Sequence, residues 1–446
     1  MKFKNNDMDM LNGALTKKLL LFTLPIALSS IVQQLFNAAD TSVAGYFGNP
    51  NALAAVGTNA EIVALIVTLS SGLSVGANII IANRIGKNER RSVPAVTETA
   101  VILALIIGVI GFFIGQAAAR PLLMLIQTPN EILDYAQQYL RIYLFGYPFL
   151  LLYDFGAAVL RAKGDSRYPF SVLALSGIVN VLLNLLFVAV LKLDVAGVAA
   201  ATCISTALSA FLVLLRLKRS GDFLSHGRLS IKGEYIFEIL KTGVPSAVQG
   251  AVFCFANIFV QTAVNKFGAR AIAGSTIAVN FEYFAYYIIT AFAQTATTFT
   301  GQNSAAGKRE RCKKILWLCL LYSVISSLFA IVPVVVFKDF FAGLFSKDGA
   351  AIGFACMRIM CILLFEPICS LYEIPAGVLR GTGYAVLPAL STVLGTCVFR
   401  IVWIFTVFNT HKSLETLYLA FPLSWVLTII LVLLSFLFVR IRASSE

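Results

Sequence analysis

The sequence predicts an all-α membrane protein of about twelve transmembrane helices, arranged in two pseudo-symmetric six-helix lobes. Three observations carry this expectation. Apolar runs of twenty or so residues recur from end to end, and about that many residues take a helix across a hydrocarbon core. The chain is 59% hydrophobic and only 13% charged, against about 25% charged residues in a soluble domain. The second half also repeats the first. Pro25 pairs with Pro245, Asn37 with Asn257 and Phe47-Gly48 with Phe267-Gly268, each 220 positions apart.

Apolar periodicity, with Gly, Pro and charge as punctuation, places the spans at 18–45, 51–83, 93–119, 132–160, 168–191, 195–217, 236–265, 270–303, 311–337, 350–379, 384–408 and 413–439. The expected division is a first lobe over 1–217, a linker over 218–235 and a second lobe over 236–446. Six spans per half is an even number, so both halves enter and leave on the same side. That is a parallel repeat about an axis near the membrane normal, which puts the expected cavity between the lobes. The net charge of +13 would suggest nucleic acid in a soluble protein. Here it follows the positive-inside rule. With the N-terminus inside, the inner segments hold 25 of the 35 basic residues, the outer segments hold seven, and Arg141, Arg358 and Arg400 fall within spans. The expectation is a multi-pass protein of the cell membrane with both termini cytoplasmic, surrounded by membrane lipids and with no nucleic-acid partner.

The first span carries the most chemistry. It opens as an ordinary apolar run, LLLFTLPIALSS, and then shows a polar face of Gln33, Asn37 and Asp40. The spacings i, i+4 and i+7 stack these side chains on one side of a helix. A carboxylate in or beside hydrocarbon is costly, and intramembrane ionisable residues are functional candidates by default. The face is either a solute or ion pathway or an interhelical packing face. Pro25 lies 15 residues before Asp40, about 22 Å at helical rise, and supplies a point at which the helix can bend. The repeat does not copy the charge: Asp40 faces Val260 in the second half.

The second span is rich in small residues, with Gly72 and Gly76 in GxxxG spacing, which lets helix backbones approach closely in lipid. The basic loop RIGKNERR (84–91) that follows has a counterpart in GKRERCKK (307–314), Gly86-Lys87 matching Gly307-Lys308. The stretch from Gly301 to Arg309 is not a phosphate-binding loop. It has five residues between its glycines instead of four, and Arg follows the Lys where Ser or Thr is required. The fourth and tenth spans carry Asp154 and Glu373 and end in the paired turns VLRAKGDSRYP and VLRGTGYAVLP, 219 apart. Their carboxylates either neutralise Arg141 or Arg358 in a buried pair or line the cavity.

Asn180 and Asn184 on the fifth span share a helix face. With Thr202, Ser205 and Thr206 at the start of the sixth they bring oxygen donors of the kind that coordinate a hard cation. Thr bonding back to its own helix is the alternative. The linker is basic and polar, suited to lying on anionic lipid. The eighth span packs Phe281, Tyr283, Phe284, Tyr286, Tyr287 and Phe292 around Glu282. This is either a site for an organic cation or a lipid-facing or core surface. Most of the eight cysteines lie in apolar helices at spacings that match no zinc or redox motif. His226 and His411 are isolated in loops. No cofactor site, metal cluster or nucleophile–base pair is visible, so an enzyme is not expected.

On DTSVAGYFGNPNALAAVG (40–57), the paired turns, SGIVNVLLN (176–184) and the two-times-six organisation, the whole chain resembles the multidrug and toxic compound extrusion family. The resemblance implies a monomeric two-lobed antiporter that exports cationic, often aromatic compounds in exchange for H+ or Na+ and needs no cofactor. In the branch with an acidic residue on the first helix, the coupling cation sits in the first lobe. Carried over, that site is Asp40, Asn180, Asn184 and Thr202, with Na+ as the metal in question. The expected substrate cavity comprises Gln33, Asn37, Asp154, Asn257, Glu282, Tyr283, Tyr287 and Glu373, with Pro25 as hinge. The sequence departs from the family pattern at Asn184, where Asp is frequent. One fewer carboxylate weakens a sodium site and leaves proton coupling through Asp40 open. A lipid-linked oligosaccharide flippase of the same superfamily is the alternative. Such proteins usually have extra helices and a strongly basic cavity.

Overall fold

The computed structural model describes residues 8–48, 50–126, 128–224 and 231–445. His226 lies outside the described residues, as do Lys2, Lys4 and Arg228 of the basic residues counted on the inner side. The first half runs α1 (Leu15–Phe47), α2 (Pro50–Gly86), α3 (Val93–Leu125), α4 (Asn130–Phe145), α5 (Tyr147–Lys163), α6 (Arg167–Asn184) and α7 (Asp194–Arg219). The second runs α8 (Gly233–Asn265), α9 (Ala269–Ala305), α10 (Arg309–Val336), α11 (Lys338–Gly343), α12 (Gly349–Cys361), α13 (Ser370–Gly381), α14 (Val386–Thr392), α15 (Phe399–Phe405), α16 (Val407–Thr410) and α17 (Leu414–Ser445). Among the described residues there is no strand.

Among the described residues, ten helical stretches are long and apolar enough to cross a membrane, and α4 with α5, bent by 45°, makes an eleventh if the pair is one span. The counterpart of α2 in the repeat, α9, is 37 residues long but not apolar enough to be counted with them. Its last third carries Thr295, Thr297, Thr298, Thr300, Gln302 and Asn303, all buried, which lowers its hydropathy without shortening it. The twelve spans form two lobes of six, as the repeat predicts.

The breaks have local causes that recur at the repeat distance. Pro148, just after the α4–α5 bend, lacks the N–H that a continuous helix would use. Its mate Pro367 lies in a 3₁₀ segment, Leu363–Cys369, that joins α12 to α13. Gly164 and Gly383 end the paired turns at φ +104° and +95°, the left-handed C-cap that a β-carbon would strain. A π-helical segment follows α6 at Leu185–Val190, and another precedes α15 at Val393–Val398.

By packing, the chain falls into two units. One comprises Met1–Asp9 and Leu28–Ala247, the other Met10–Ala27 and Val248–Glu446. The cuts therefore run through α1 and α8, two or three residues past Pro25 and Pro245, rather than through the linker. The reason is close packing along each half-helix. In the second unit, Thr23 of α1 meets Thr295 of α9 at 2.8 Å between hydroxyls, and Phe22 sits edge-on to Phe299. In the first unit, the start of α8 lies backbone to backbone on α2. A β-carbon at Gly76 would come within 2.1 Å of the Ile239 carbonyl oxygen, and one at Gly72 within 2.5 Å of the Ala247 Cα. The described ends of the linker also pack on the first unit. Asp222 is buried and accepts from Lys163 and Ser220, and the Lys232 N–H donates to Thr99 Oγ1.

Candidate functional site

The polar face of α1 delivers Asp40 into the first unit, where it is only 6% exposed. The i, i+4 spacing on α6 turns Asn180 and Asn184 toward it, at the point where the α-helix gives way to the π segment. Extra turns of this kind often mark functional positions. Asn184 Nδ2 donates to Asp40 Oδ1, and also to Asn180 Oδ1 at 3.1 Å. Thr202 of α7 sets its hydroxyl 3.1 Å from Asp40 Oδ2 and 3.1 Å from the Val198 carbonyl oxygen. Asn180 Nδ2 donates to Thr202 Oγ1 at 3.3 Å. The four sequence-predicted residues thus meet from three helices: Asn184 and Thr202 bond to the Asp40 carboxylate, and Asn180 bonds to both of them. Ser205 and Thr206 do not join them, because both hydroxyls bond back to the Thr202 carbonyl.

Asn184 is fully buried, and its Oδ1 has no hydrogen-bond partner. A buried acceptor without a donor is costly, and this one sits beside the carboxylate. One negative charge with amide and hydroxyl oxygens is a donor set for a hard monovalent cation, so the residues present fit Na+ as well as H+. Gln33 is half-buried and Asn37 exposed on the same face of α1. Neither is among the donors to Asp40.

The other candidates stand in different surroundings. Asp154 of α5 accepts from Ser70 of α2 at 2.6 Å. Glu373 of α13 accepts from the Tyr286 hydroxyl at 3.0 Å and from Arg380 at 3.4 Å. Neither pairs with Arg141 or Arg358, which removes one of the two alternatives that the sequence left open. Arg358 is instead held by Glu282 in a bidentate pair of 2.7 and 2.8 Å, with a third bond to Ser275 Oγ at 2.7 Å and the faces of Tyr418 and Phe421 beside it. Glu282 is therefore not an open carboxylate inside an aromatic cage. A long guanidinium from α12 reaches it first. Tyr283 and Tyr287 stack on each other at 6.0 Å, and Asn257 is half-buried on α8.

Sequence reasoning missed Glu366, which is 4% exposed with an unpartnered Oε2. The signal was there, a lone acid in the apolar stretch LLFEPIC. It also missed that Arg400, 2% exposed, lies 3.9 Å over the Phe421 ring and donates to Ser424.

Twelve spans in repeated lobes, with a buried carboxylate set among oxygen donors, define a polytopic membrane transporter. The family model MatE matches the chain at residues 25–186 and again at 245–406, the two matches offset by the same 220 positions as Pro25 and Pro245. The chain belongs to this family, the multidrug and toxic compound extrusion transporters. It is 26% identical over 381 residues to the probable multidrug resistance protein YpnP of Bacillus subtilis, covering 84% of each chain. It is 27% identical over 400 residues to the probable multidrug resistance protein NorM of Thermotoga maritima, covering 86% of this chain and 84% of that one. Its fold is similar to that of a MOP superfamily transporter from Pyrococcus furiosus. That match has a TM-score of 0.89 over 99% of this chain and 98% of the other, at 22% identity.

Proposed function

We propose that this chain exports cationic, often aromatic small molecules across the cell membrane in exchange for H+ or Na+, working as a monomer with both termini cytoplasmic. The observation that carries the reading is the unpartnered Asn184 Oδ1 beside the buried Asp40 carboxylate. Asp40 supplies the negative charge, and Asn180, Asn184 and Thr202 replace water around the coupling cation. Occupancy by a proton or a sodium ion cancels the charge and makes a dry, closed first lobe less costly. A ligand shifts such an equilibrium only through its different affinity for the two states. Pro25, near the position where α1 passes from one packing unit to the other, is the point at which the helix bends in response. Gln33 and Asn37 in the first unit line the substrate path. In the second, Asn257 and the Tyr283–Tyr287 stack do so, the stack offering an aromatic face to a planar cation. Asp154, Glu282 and Glu373 already hold donors, and we assign them to helix packing.

Purified protein in liposomes, loaded with a fluorescent aromatic cation, tests this with sodium and proton gradients imposed separately. Export driven by one of them is the expected result. Export that ignores both gradients, or that treats neutral and cationic compounds alike, ends the proposal. The orientation has its own check. Cysteines placed singly at Asn88 and Ala306, in a cysteine-free background, are expected to react with impermeant thiol reagents only from the cytoplasmic side. Labelling from outside intact cells would invert the topology.

A further inference from the structure

One cluster in the second unit holds four buried charged side chains, Glu282, Arg358, Glu366 and Arg400. Glu282 and Arg358 close on each other in a bidentate bond. The other two stay apart. Arg400 gives its Nε–H to Ser424 Oγ at 3.1 Å, and among the described residues no carboxylate makes an ion pair with it. Aromatic rings surround it instead: Phe421 at 3.9 Å, Phe253 at 5.9 Å and Trp425 at 6.0 Å. Glu366 Oε2 has no hydrogen-bond partner. The charged side chains that face Glu366 are Glu282, Arg358 and Arg400. Arg358 is taken, so Arg400 is the cation left for it.

A buried carboxylate without a donor and a buried guanidinium without a counter-charge are each costly. Cation–π contact offsets part of the cost for Arg400, and Glu366 has no such offset. Both groups also stand on backbone that can shift. Glu366 lies in the 3₁₀ segment Leu363–Cys369, next to Pro367. Arg400 is the second residue after the π segment Val393–Val398 and belongs to α15, which is seven residues long. Short 3₁₀ and π stretches often mark hinges and functional positions. A π turn holds more residues than an α turn, so moving it along a helix turns each residue it passes by about 100°. Glu282 and Arg358, by contrast, sit within the regular helices α9 and α12.

We propose that Glu366 and Arg400 are a switched ion pair. It is open in this arrangement, with Arg400 held against the Phe421 ring, and closed in a second arrangement of the unit, reached when the 3₁₀ or π register shifts. The Glu282–Arg358 pair is the fixed anchor beside it. Closure exchanges a cation–π contact for a charge–charge contact. Discrete alternatives of this kind are how a close-packed interior changes state, since it does not deform continuously. The switch and Asp40 belong to different packing units, and its test needs no transport, so its failure would leave the reading of Asp40 untouched.

Two double-mutant cycles on the full-length purified chain test this, read as the thermal unfolding midpoint. One compares Glu366→Gln, Arg400→Gln and the double variant with the parent. The other repeats them in Phe421→Leu, which takes away the ring that holds Arg400. In the parent background the two shifts are expected to be close to additive, because the pair is open. In the Phe421→Leu background the double variant is expected to shift about as far as either single one, because the pair has closed. Additive shifts in both backgrounds would make the two residues independent and overturn the proposal. Equal coupling in both would make the pair permanent and overturn it as well. Where Arg400→Gln does not fold, Arg400→Lys keeps the charge and loses the planar fork. Its coupling to Glu366→Gln is then expected in the Phe421→Leu background alone, and the same two outcomes would overturn the switch.

Discussion

Reconstituted Asp40→Asn is expected to lose gradient-driven export by about two orders of magnitude while folding as the parent does. The size follows from the chemistry of the site. Asp40 is the carboxylate to which Asn184 and Thr202 bond, with Asn180 bonded to both of them. Removing one partner of a buried, hydrogen-bonded charge pair costs on the order of 3 kcal/mol, which is about a hundredfold in occupancy. Folding survives because Asn is nearly isosteric. Its Oδ1 still accepts from Asn184, and its Nδ2 can face the Thr202 hydroxyl in place of the second carboxylate oxygen. The buried charge also disappears, so the unfolding midpoint is expected to hold or rise. A second variant separates the two ions. Asn184→Leu removes the unpartnered oxygen and leaves the carboxylate, so it should abolish sodium-driven export and spare export driven by protons. Gradient-driven transport at the parent rate in Asp40→Asn would take Asp40 out of the mechanism.

The second large effect concerns stability. Glu282→Gln or Arg358→Met is expected to destabilise the protein by about 3–5 kcal/mol, because each strands a buried charge whose partner has gone. Both side chains lie close to full burial, at 11% and 6% exposure. The bidentate geometry and the Ser275 bond leave little room for water to take the missing partner's place. The double variant Glu282→Leu/Arg358→Met removes both charges and is expected to recover most of the loss, since an apolar replacement of a buried pair is often neutral. Thermal unfolding of the four proteins forms a double-mutant cycle. A Glu282→Gln variant with parental stability but selectively weakened export of cations would return Glu282 to the substrate path, and the assignment to packing would fall.

Glu282 also shows where sequence reading stops. Its aromatic neighbours on α9 are legible from spacing, and their number suggests a cage for a cation. Its partner is 76 positions away on α12, and nothing in the local pattern of either helix records that they touch. The same limit applies to Asp154 and Glu373. The repeat equates them, yet one is held by a serine on α2 and the other by a tyrosine on α9 and an arginine on its own helix. Equivalent positions in a duplicated fold share a backbone environment, while their side-chain partners drift independently. Glu366 illustrates the converse: a lone acid in apolar sequence is visible without any structure, but its burial and unpartnered oxygen are not.

The sequence by itself determined the helical class, most of the spans and the duplication, and it put forward the residues of the proposed cation site. Each of these rests on quantities that add up along one helix: transfer from water to hydrocarbon, a 3.6-residue period, a Pro or Gly at a turn. The polar face of α1 and the i, i+4 asparagines of α6 are local in this sense, so Asp40, Asn180 and Asn184 were within reach, with Thr202 supplied by the family resemblance. Only the tertiary structure decided what those faces meet. It brought Thr202 to Asp40, left Asn184 Oδ1 without a donor, gave Arg358 to Glu282, and assigned the first parts of α1 and α8 to a different packing unit from the remainder of each helix. These outcomes depend on which helices become neighbours and how far a side chain reaches across the gap. Several pairings have nearly the same local energy, and close packing of the whole lobe selects among them.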